Sequence, residues 1–76
     1  MELLTSANAQ SQPVNGKIRI ISTVPILYDI GPNPKIVPGR SAQLPVGVIM
    51  QLTVSEGTFL AFAQIDRPGS LHVDTL

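Results

Sequence analysis

Few residues of this chain could carry out acid–base or nucleophilic chemistry. There is one histidine, His72, among five carboxylates. His72 and Asp74 lie two positions apart in SLHVDTL, and on a β-strand this spacing puts both side chains on one face. A histidine beside a carboxylate is the base portion of a catalytic triad, which also requires a nucleophile. A solvated strand face explains the pair equally well, and we predict that the chain is not an enzyme.

Other catalytic and ligand-binding motifs are missing from the sequence. Paired carboxylates would have to meet in a pocket to act as acid and base, whereas Glu56 and Asp66 each adjoin a turn, where acids are ordinarily solvated. No phosphate-binding loop, HExxH motif or EF-hand run occurs. The chain has no cysteine, which excludes disulfides and thiolate zinc sites. We therefore expect no catalytic residue, no metal ion and no cofactor.

The charge pattern argues against nucleic-acid binding. Charged residues make up 13% of the chain, the formal net charge is zero, and the five basic residues are dispersed. Phosphate recognition relies on clustered lysine and arginine. Two alternatives remain. One is a small cellular assembly subunit, and the other is a small β-barrel binding module for single-stranded nucleic acid or oligosaccharide, which stacks bases or sugars on exposed rings. Phe59 and Phe62 lie within an apolar segment, and core packing explains them more simply.

The size of the chain points to protein partners. A domain of 76 residues buries only roughly 60% of the surface that its unfolded form exposes. Without disulfides or metal, small domains gain stability from oligomerisation or docking. With 43% hydrophobic residues, much of the monomer surface is expected to be uncharged. We predict a homo-oligomer, or a chain bound to a larger protein.

Nothing in the sequence predicts a membrane segment or an export signal. No run reaches the roughly 18 apolar residues of a membrane helix. The first ten residues, MELLTSANAQ, lack the basic leader and apolar core of a secretory signal. We expect no membrane association and a protein made and used without export.

Two parts of the chain differ in composition and in the periodicity of their side chains. Residues 1–16 are mostly small and polar and show no period of 2 or 3.6, which predicts an extended N-terminal arm. The arm either packs along its own domain or lies on a neighbouring subunit. From residue 17 the sequence is β-branched and alternating, which predicts a β domain over residues 17–76.

Short strands with frequent turn signals predict the fold. The expected strands are residues 17–23, 25–30, 35–37, 40–44, 48–54, 57–65 and 70–76. Asn15-Gly16 predicts a hairpin turn before the first of them, and Glu56-Gly57 predicts the end of the fifth. Seven prolines and six glycines argue against helices. The fold class is all-β, a small antiparallel β-sandwich or partly open β-barrel of about six or seven short strands, with the N-terminal arm extended.

The stretch YDIGPNPKIVPGRSAQLP, residues 28–45, is dense in backbone-restricting residues. Gly31-Pro32-Asn33-Pro34 predicts a wide, stiff turn, because a residue before proline avoids helical angles. Pro38-Gly39 predicts a type II turn. Stiff loops make good docking surfaces because little order is lost on binding, although these turns could merely reverse the chain. Arg40 is either an interface anchor or a solvated turn arginine.

A succession of turn motifs over residues 24–63 resembles a viral family. It runs through Gly31-Pro-Asn-Pro, Pro38-Gly-Arg-Ser, Gln43-Leu-Pro-Val-Gly, the strand 48–54 and Glu56-Gly-Thr-Phe-Leu-Ala-Phe. The order is similar to that of small structural proteins of tailed bacteriophage virions. The long polar arm departs from the pattern of that family.

The resemblance implies a non-enzymatic virion protein that decorates or cements the head shell, or belongs to a head-associated assembly. Its partners would be the major capsid protein or another coat protein, and its location the virion, assembled in the host cytoplasm. We expect its interface to use the arm, the stiff loops and one apolar residue of the strand 57–65. The candidate interface residues are Leu3, Leu4, Pro32, Asn33, Pro34, Arg40 and Phe62.

Overall fold

Six antiparallel strands form one curled sheet in the computed structural model, which describes all 76 residues. The strands are β1 (Glu2–Leu4), β2 (Gln10–Ser22), β3 (Ile26–Gly31), β4 (Ala42–Leu44), β5 (Met50–Gln64) and β6 (Ser70–Thr75). Their order across the sheet is β1-β6-β2-β5-β3-β4. The predicted all-β antiparallel class is therefore confirmed, and the sheet curls into a half-barrel. No helix long and apolar enough to cross a membrane is present.

The two long strands β2 and β5 form the centre of the sheet. Their ladder runs from the pair Gln10–Phe62 to the pair Ile20–Met50, with one irregularity. There, residues 55–57 of β5 lie opposite Asn15 of β2, which makes a bulge that bends both strands. Gly16 and Gly57 adopt φ of 76° and 86°, angles that other residues enter only with strain. We call residues 15–16 and 55–57 the glycine corner.

The glycine corner corrects two predictions. Asn15-Gly16 is not a hairpin turn, and Glu56-Gly57 does not end a strand, because β2 and β5 each continue through the corner. The predicted strands 48–54 and 57–65 are thus largely one strand, β5. Here the positive φ angles that glycine allows produce a bend within the ladder. In a hairpin, the same angles would reverse the chain.

The corner divides the sheet into two parts. On one side, residues 18–22 of β2 pair with β6, which pairs with β1. On the other side, residues 59–64 of β5 pair with β3, which pairs with β4. Hydrogen bonds join the parts at two places: the Gln64 N–H donates to Ser6 O, and the Gly47 N–H donates to Ser22 O. The bend therefore closes the two parts over a shared interior.

The interior is filled by alternate residues of the strands. Ten buried side chains form the core: Val14, Ile18, Ile20, Val24, Ile26, Leu44, Leu60, Phe62, Leu71 and Val73. β5 lies between β2 and β3, and both of its faces are buried over residues 60–63. The predicted strand 57–65 is apolar on both faces, which fits either a central position or an interface, and the structure places it centrally. Phe59, expected in the core, faces away from Phe62 and is 36% exposed.

Most of the segment predicted as an arm belongs to the sheet. Residues 2–4 pair with β6, and residues 10–14 pair with the central strand β5. Strand β2 itself runs from Gln10 to Ser22 and so passes through residue 16. Polar residues such as Gln10 and Ser11 show no strand pattern, but their backbone groups pair with the backbone of β5 along one of its edges. Pairing of backbone groups needs no apolar side chain.

The predicted strand 35–37 is also wrong. The segment lies between Pro34 and Pro38, and side chains satisfy its backbone in place of a neighbouring strand. The Lys35 N–H donates to Asp29 Oδ2 at 2.9 Å, and the Val37 N–H donates to Ser41 Oγ at 2.7 Å. Without ladder partners, residues 35–37 remain in the connection between β3 and β4.

Candidate protein interaction surfaces

The predicted interface residues fall in three regions of the fold. Leu3 and Leu4 belong to β1. The next four lie in the connection between β3 and β4, residues 32–41, which we call the proline loop: Pro32, Asn33, Pro34 and Arg40. Phe62 lies in β5 and is 1% exposed, which makes it a core residue that a partner cannot reach. The predicted set is therefore not one continuous surface.

The proline loop is held by two polar side chains at its base. The Asp29 carboxylate accepts hydrogen bonds from the N–H groups of Ile30 and Lys35. Ser41 Oγ accepts the Val37 N–H and lies 3.5 Å from Lys35 O. These contacts fix the middle of the loop relative to β3 and β4. Its exposed residues are therefore presented in an ordered arrangement.

The turn at Pro38-Gly39 has the predicted geometry. The Arg40 N–H donates to Val37 O at 2.9 Å, and Gly39 adopts a φ of 83°. A hydrogen bond across four residues with positive φ at the third is the signature of a type II turn. The Arg40 side chain is exposed beside this turn and forms no ion pair. It is available to an acidic group of a partner.

The loop folds back against the outer face of the sheet. Pro34 and Ile36 are half-buried and line a shallow cleft with Ala61 of β5. Pro32 and Asn33 are exposed and line a neighbouring cleft with Phe59. One side of the loop therefore packs on β5, while the Pro32-Asn33 tip faces solvent.

A second surface combines large apolar side chains at one end of the half-barrel. It lies around the β2–β3 connection, residues 23–25. Gly47 bonds to Ser22 at the start of this connection, Ile65 bonds to Pro25 at its end, and Ser70 bonds to Thr23. Ser70 is also the ladder partner of Leu4. We call the exposed apolar residues of these segments the apolar end: Leu4, Val46, Val48, Ile49 and Ile65.

The apolar end holds five of the nine exposed large hydrophobic residues. Leu4 is 72% exposed and Ile49 is 55% exposed. The charged residues next to Ile65 are Asp66 and Arg67, which pair with each other at 3.4 Å. Several large apolar side chains exposed at one end of a small protein are typical of a contact surface.

Most of the apolar end was missed by sequence reasoning. Val48 was predicted to begin a strand over residues 48–54, but β5 begins only at Met50 and Val48 is 46% exposed. Residues 45–49 instead form the turn from β4 to β5, in which the Val48 N–H donates to Pro45 O. One signal was present: residues 41–55 contain no charged residue. A turn without charges is unusual on a solvated surface.

Asp74 connects three parts of the sheet. Its carboxylate accepts the N-terminal ammonium of Met1 at 3.1 Å and Arg19 Nη2 at 3.3 Å. The hydrogen bond from the N-terminal ammonium, and then that from Arg19, lower the pKa of Asp74. Both contacts favour the charged carboxylate. Asp74 thus links β6 to the start of β1 and to β2.

His72 and Asp74 share a strand face but do not contact each other. His72 Nε2 lies 4.0 Å from a Glu2 carboxylate oxygen, while Asp74 bonds to Met1 and Arg19. No hydroxyl group bonds to His72. No group of three histidine, cysteine or acidic residues is close enough to hold a metal ion. The ion pairs on the polar face of β6 are thus the exposed contacts of Asp74 with Met1 and Arg19, a kind of contact that contributes little to stability.

Comparison with protein-family models, curated proteins and solved structures found no match to this chain.

Proposed function

We propose that this chain is a non-enzymatic structural protein of a tailed bacteriophage virion. It decorates or cements the head shell, or a head-associated assembly, through contacts with the major capsid protein or another coat protein. It also associates with copies of itself. The resemblance of its turn motifs over residues 24–63 supports the viral assignment, and the surface of the fold supports the contact role.

The observation that carries the proposal is the apolar end. Val46, Val48 and Ile49 occupy an exposed turn, together with Leu4 and Ile65. Burying such side chains against a partner is favourable by roughly 25 cal/mol per Å² of apolar surface. Only 14 of the 76 residues are buried in the chain by itself, so contact with a partner would add substantially to its apolar burial.

The proline loop supports the same role as a second contact. Its backbone is fixed by Asp29 and Ser41, so binding would order few additional groups. Arg40 and Lys35 are exposed and form no ion pair. An acidic surface of a coat protein would be complementary to them, and such contacts mainly contribute specificity and association rate.

Sedimentation with purified head shells tests the proposal. The shells come from a phage in which the gene for this chain is disrupted, and the chain is added back. We expect wild-type chain to sediment with the shells. The double substitution Val48→Ser and Ile49→Ser should weaken binding by about tenfold or more, because it removes two exposed apolar side chains of a contact surface.

Leu76→Ser is the matched control. Leu76 is 58% exposed and bonds to Lys17 at the far end of β6, so its substitution should leave shell binding unchanged. Circular dichroism should show that all variants fold. Equal loss of binding in both variants would contradict the role of the apolar end, and absence of wild-type binding would contradict the proposal.

A parallel titration addresses the alternative function. We expect no affinity for a poly-dT oligonucleotide. Binding that falls steeply with added salt would instead favour a nucleic-acid module.

A further inference from the structure

Strand β1 is an edge of the sheet whose outward backbone groups have no partner strand. β1 pairs with β6 on one side only. Met1 hydrogen bonds to Val73 of β6, and Thr5 hydrogen bonds to Gly69 directly before β6. Backbone groups alternate along an antiparallel strand. The N–H and C=O groups of Glu2 and Leu4 therefore point away from β6, toward the free edge.

This edge lacks the proline found at or beside the other edges of the sheet, and its protection is limited to its short length and the charge of Glu2. Native proteins block exposed edges with proline, lysine, bulges or covering loops. Pro13 occupies the part of β2 that pairs only with β5, and Pro45 directly follows the edge strand β4. β1 contains no proline or lysine, has a regular register with β6, and carries exposed Leu4.

We infer that β1 pairs with β1 of a second copy of this chain, antiparallel and about a two-fold axis. This inference deepens the proposed function, because it rests on the self-association proposed there and names its surface. The outcome is a symmetric dimer in which the sheets of the two copies join at their β1 edges. Such an interface uses the same residues on both sides.

The side chains select one register among three. A two-fold axis at Glu2 would place the Glu2 carboxylates of the two copies opposite each other, which is destabilising. An axis at Leu4 would place Glu2 of one copy opposite Ser6 of the other. The Ser6 carbonyl already accepts the Gln64 N–H, so it is not free to pair with Glu2. An axis at Leu3 places Glu2 of each copy opposite Leu4 of the other copy. This register satisfies all four outward groups of each strand and keeps like charges apart.

The same register also makes the core continuous. Leu3 is half-buried and packs against the core cluster. In the register centred on Leu3, the two Leu3 residues form a non-hydrogen-bonded pair, in which side chains approach most closely. Apolar contact between them would extend the core of one copy into that of the other. Three residues form a small interface, so the dimer should dissociate on dilution.

Amide hydrogen exchange measured by NMR at several protein concentrations tests the inference. From about 10 µM to about 1 mM, the Glu2 and Leu4 amides should become protected as the concentration rises. The Thr5 amide is the internal control, because its bond to Gly69 lies within one copy. Its protection should not depend on concentration.

Two substitutions at one position separate backbone pairing from side-chain contact. Leu4→Pro removes an N–H group that faces the free edge, so the bonds between β1 and β6 remain. We expect it to weaken association by about tenfold or more in sedimentation equilibrium. Leu4→Thr also removes the leucine side chain but retains the N–H, so association should persist. If Leu4→Pro does not fold, the exchange pattern of the wild-type chain still decides the question.

Three results are distinguishable. Concentration-dependent protection of Glu2 and Leu4, together with loss of association in Leu4→Pro, supports pairing through β1. Association that is unchanged in Leu4→Pro, with both amides unprotected, overturns pairing through β1 but leaves self-association in place. A monomer at every concentration overturns both, while shell binding is measured separately.

Discussion

The proline loop and the glycine corner both lie where turn motifs occur in the sequence, yet only the loop leaves the sheet. Between Gly31 and Ala42 the chain departs from β3 and makes a type II turn. At the corner, β2 and β5 bend but remain paired on both sides of Gly16 and Gly57. Turn residues of different kinds therefore constrain the chain to different degrees.

The difference follows from what each residue type excludes. Proline has no N–H group and a fixed φ, so it interrupts a ladder in nearly every context. Pro13 is the exception that fits this rule, because it lies where β2 has a strand on one side only. Glycine excludes nothing and merely permits positive φ. Whether a glycine reverses the chain or bends it depends on which strands are available to pair.

The largest expected effect tests whether the part of β5 that follows the glycine corner contributes to the core. Phe62→Ala should lower the free energy of unfolding by about 3 to 5 kcal/mol, because it leaves a cavity in the interior. Phe59→Ala is the matched control: Phe59 is 36% exposed, and the expected loss is about 1 to 2 kcal/mol. Urea unfolding measures both. Equal losses would mean that Phe62 is not more deeply packed than Phe59 on β5.

A smaller effect tests the backbone of the corner itself. Gly57→Ala should cost about 1 to 2 kcal/mol, because alanine is strained at a φ of 86°. Gly31→Ala, at a position with no positive φ and with open space where the new methyl group would lie, should change stability by about 0.5 kcal/mol or less. Urea unfolding of both variants gives the comparison. A neutral Gly57→Ala would show that the bend does not depend on left-handed backbone.

The loop should respond more weakly than the corner, because side-chain hydrogen bonds at the surface hold it. Asp29→Ala removes the acceptor of the Ile30 and Lys35 amides and should cost about 0.5 to 1.5 kcal/mol. The Lys35 amide should also exchange faster with solvent. Asp66→Ala, which removes only an exposed contact with Arg67, is the control. Unchanged Lys35 exchange would show that Asp29 does not order the loop.

The smallest effect concerns β1, which neither the loop nor the corner holds. The N-terminal ammonium and Arg19 lower the pKa of Asp74 below its ordinary value of 3.8, so the folded state favours the carboxylate. This stabilisation is present at neutral pH and is lost as the pH falls through the lowered pKa. The stability difference between wild type and Asp74→Asn should therefore shrink below about pH 4. Urea midpoints between pH 7 and pH 3 measure it; a difference that does not change with pH would contradict the assignment.

Particular elements show how far sequence reasoning reaches. Alternation in residues 70–76 predicted strand β6, and the apolar segment 57–65 predicted a strand that forms the second half of β5, because both patterns depend only on nearby side chains. The strand 10–14 was not predicted, since Gln10 and Ser11 join the sheet through backbone groups alone. The strand 35–37 was predicted but is absent, because Asp29 and Ser41 take its hydrogen bonds.

Of the two candidate surfaces, one was identified from the sequence and the other was not. The proline loop and Arg40 were identified from local turn chemistry, and the structure presents them at the surface. The apolar end was not identified, because its members come from two connections and one edge strand that meet only in the folded chain. Phe62 was assigned to an interface, whereas its position beside Leu60 and between β2 and β3 makes it core.

The amino-acid sequence alone determined that this chain is all-β, that all its prolines except Pro13 lie outside strands, and which residues alternate. Those properties depend on neighbours one to four positions away, whose sterics and hydrogen bonds act whatever the rest of the chain does. Tertiary structure alone decided that Gly16 and Gly57 form one bend, that a polar segment joins the central strand, and that β1 is left as an open edge. These outcomes require pairing between residues some 40 positions or more apart, and the free energy of such pairing depends on every strand competing for the same backbone groups.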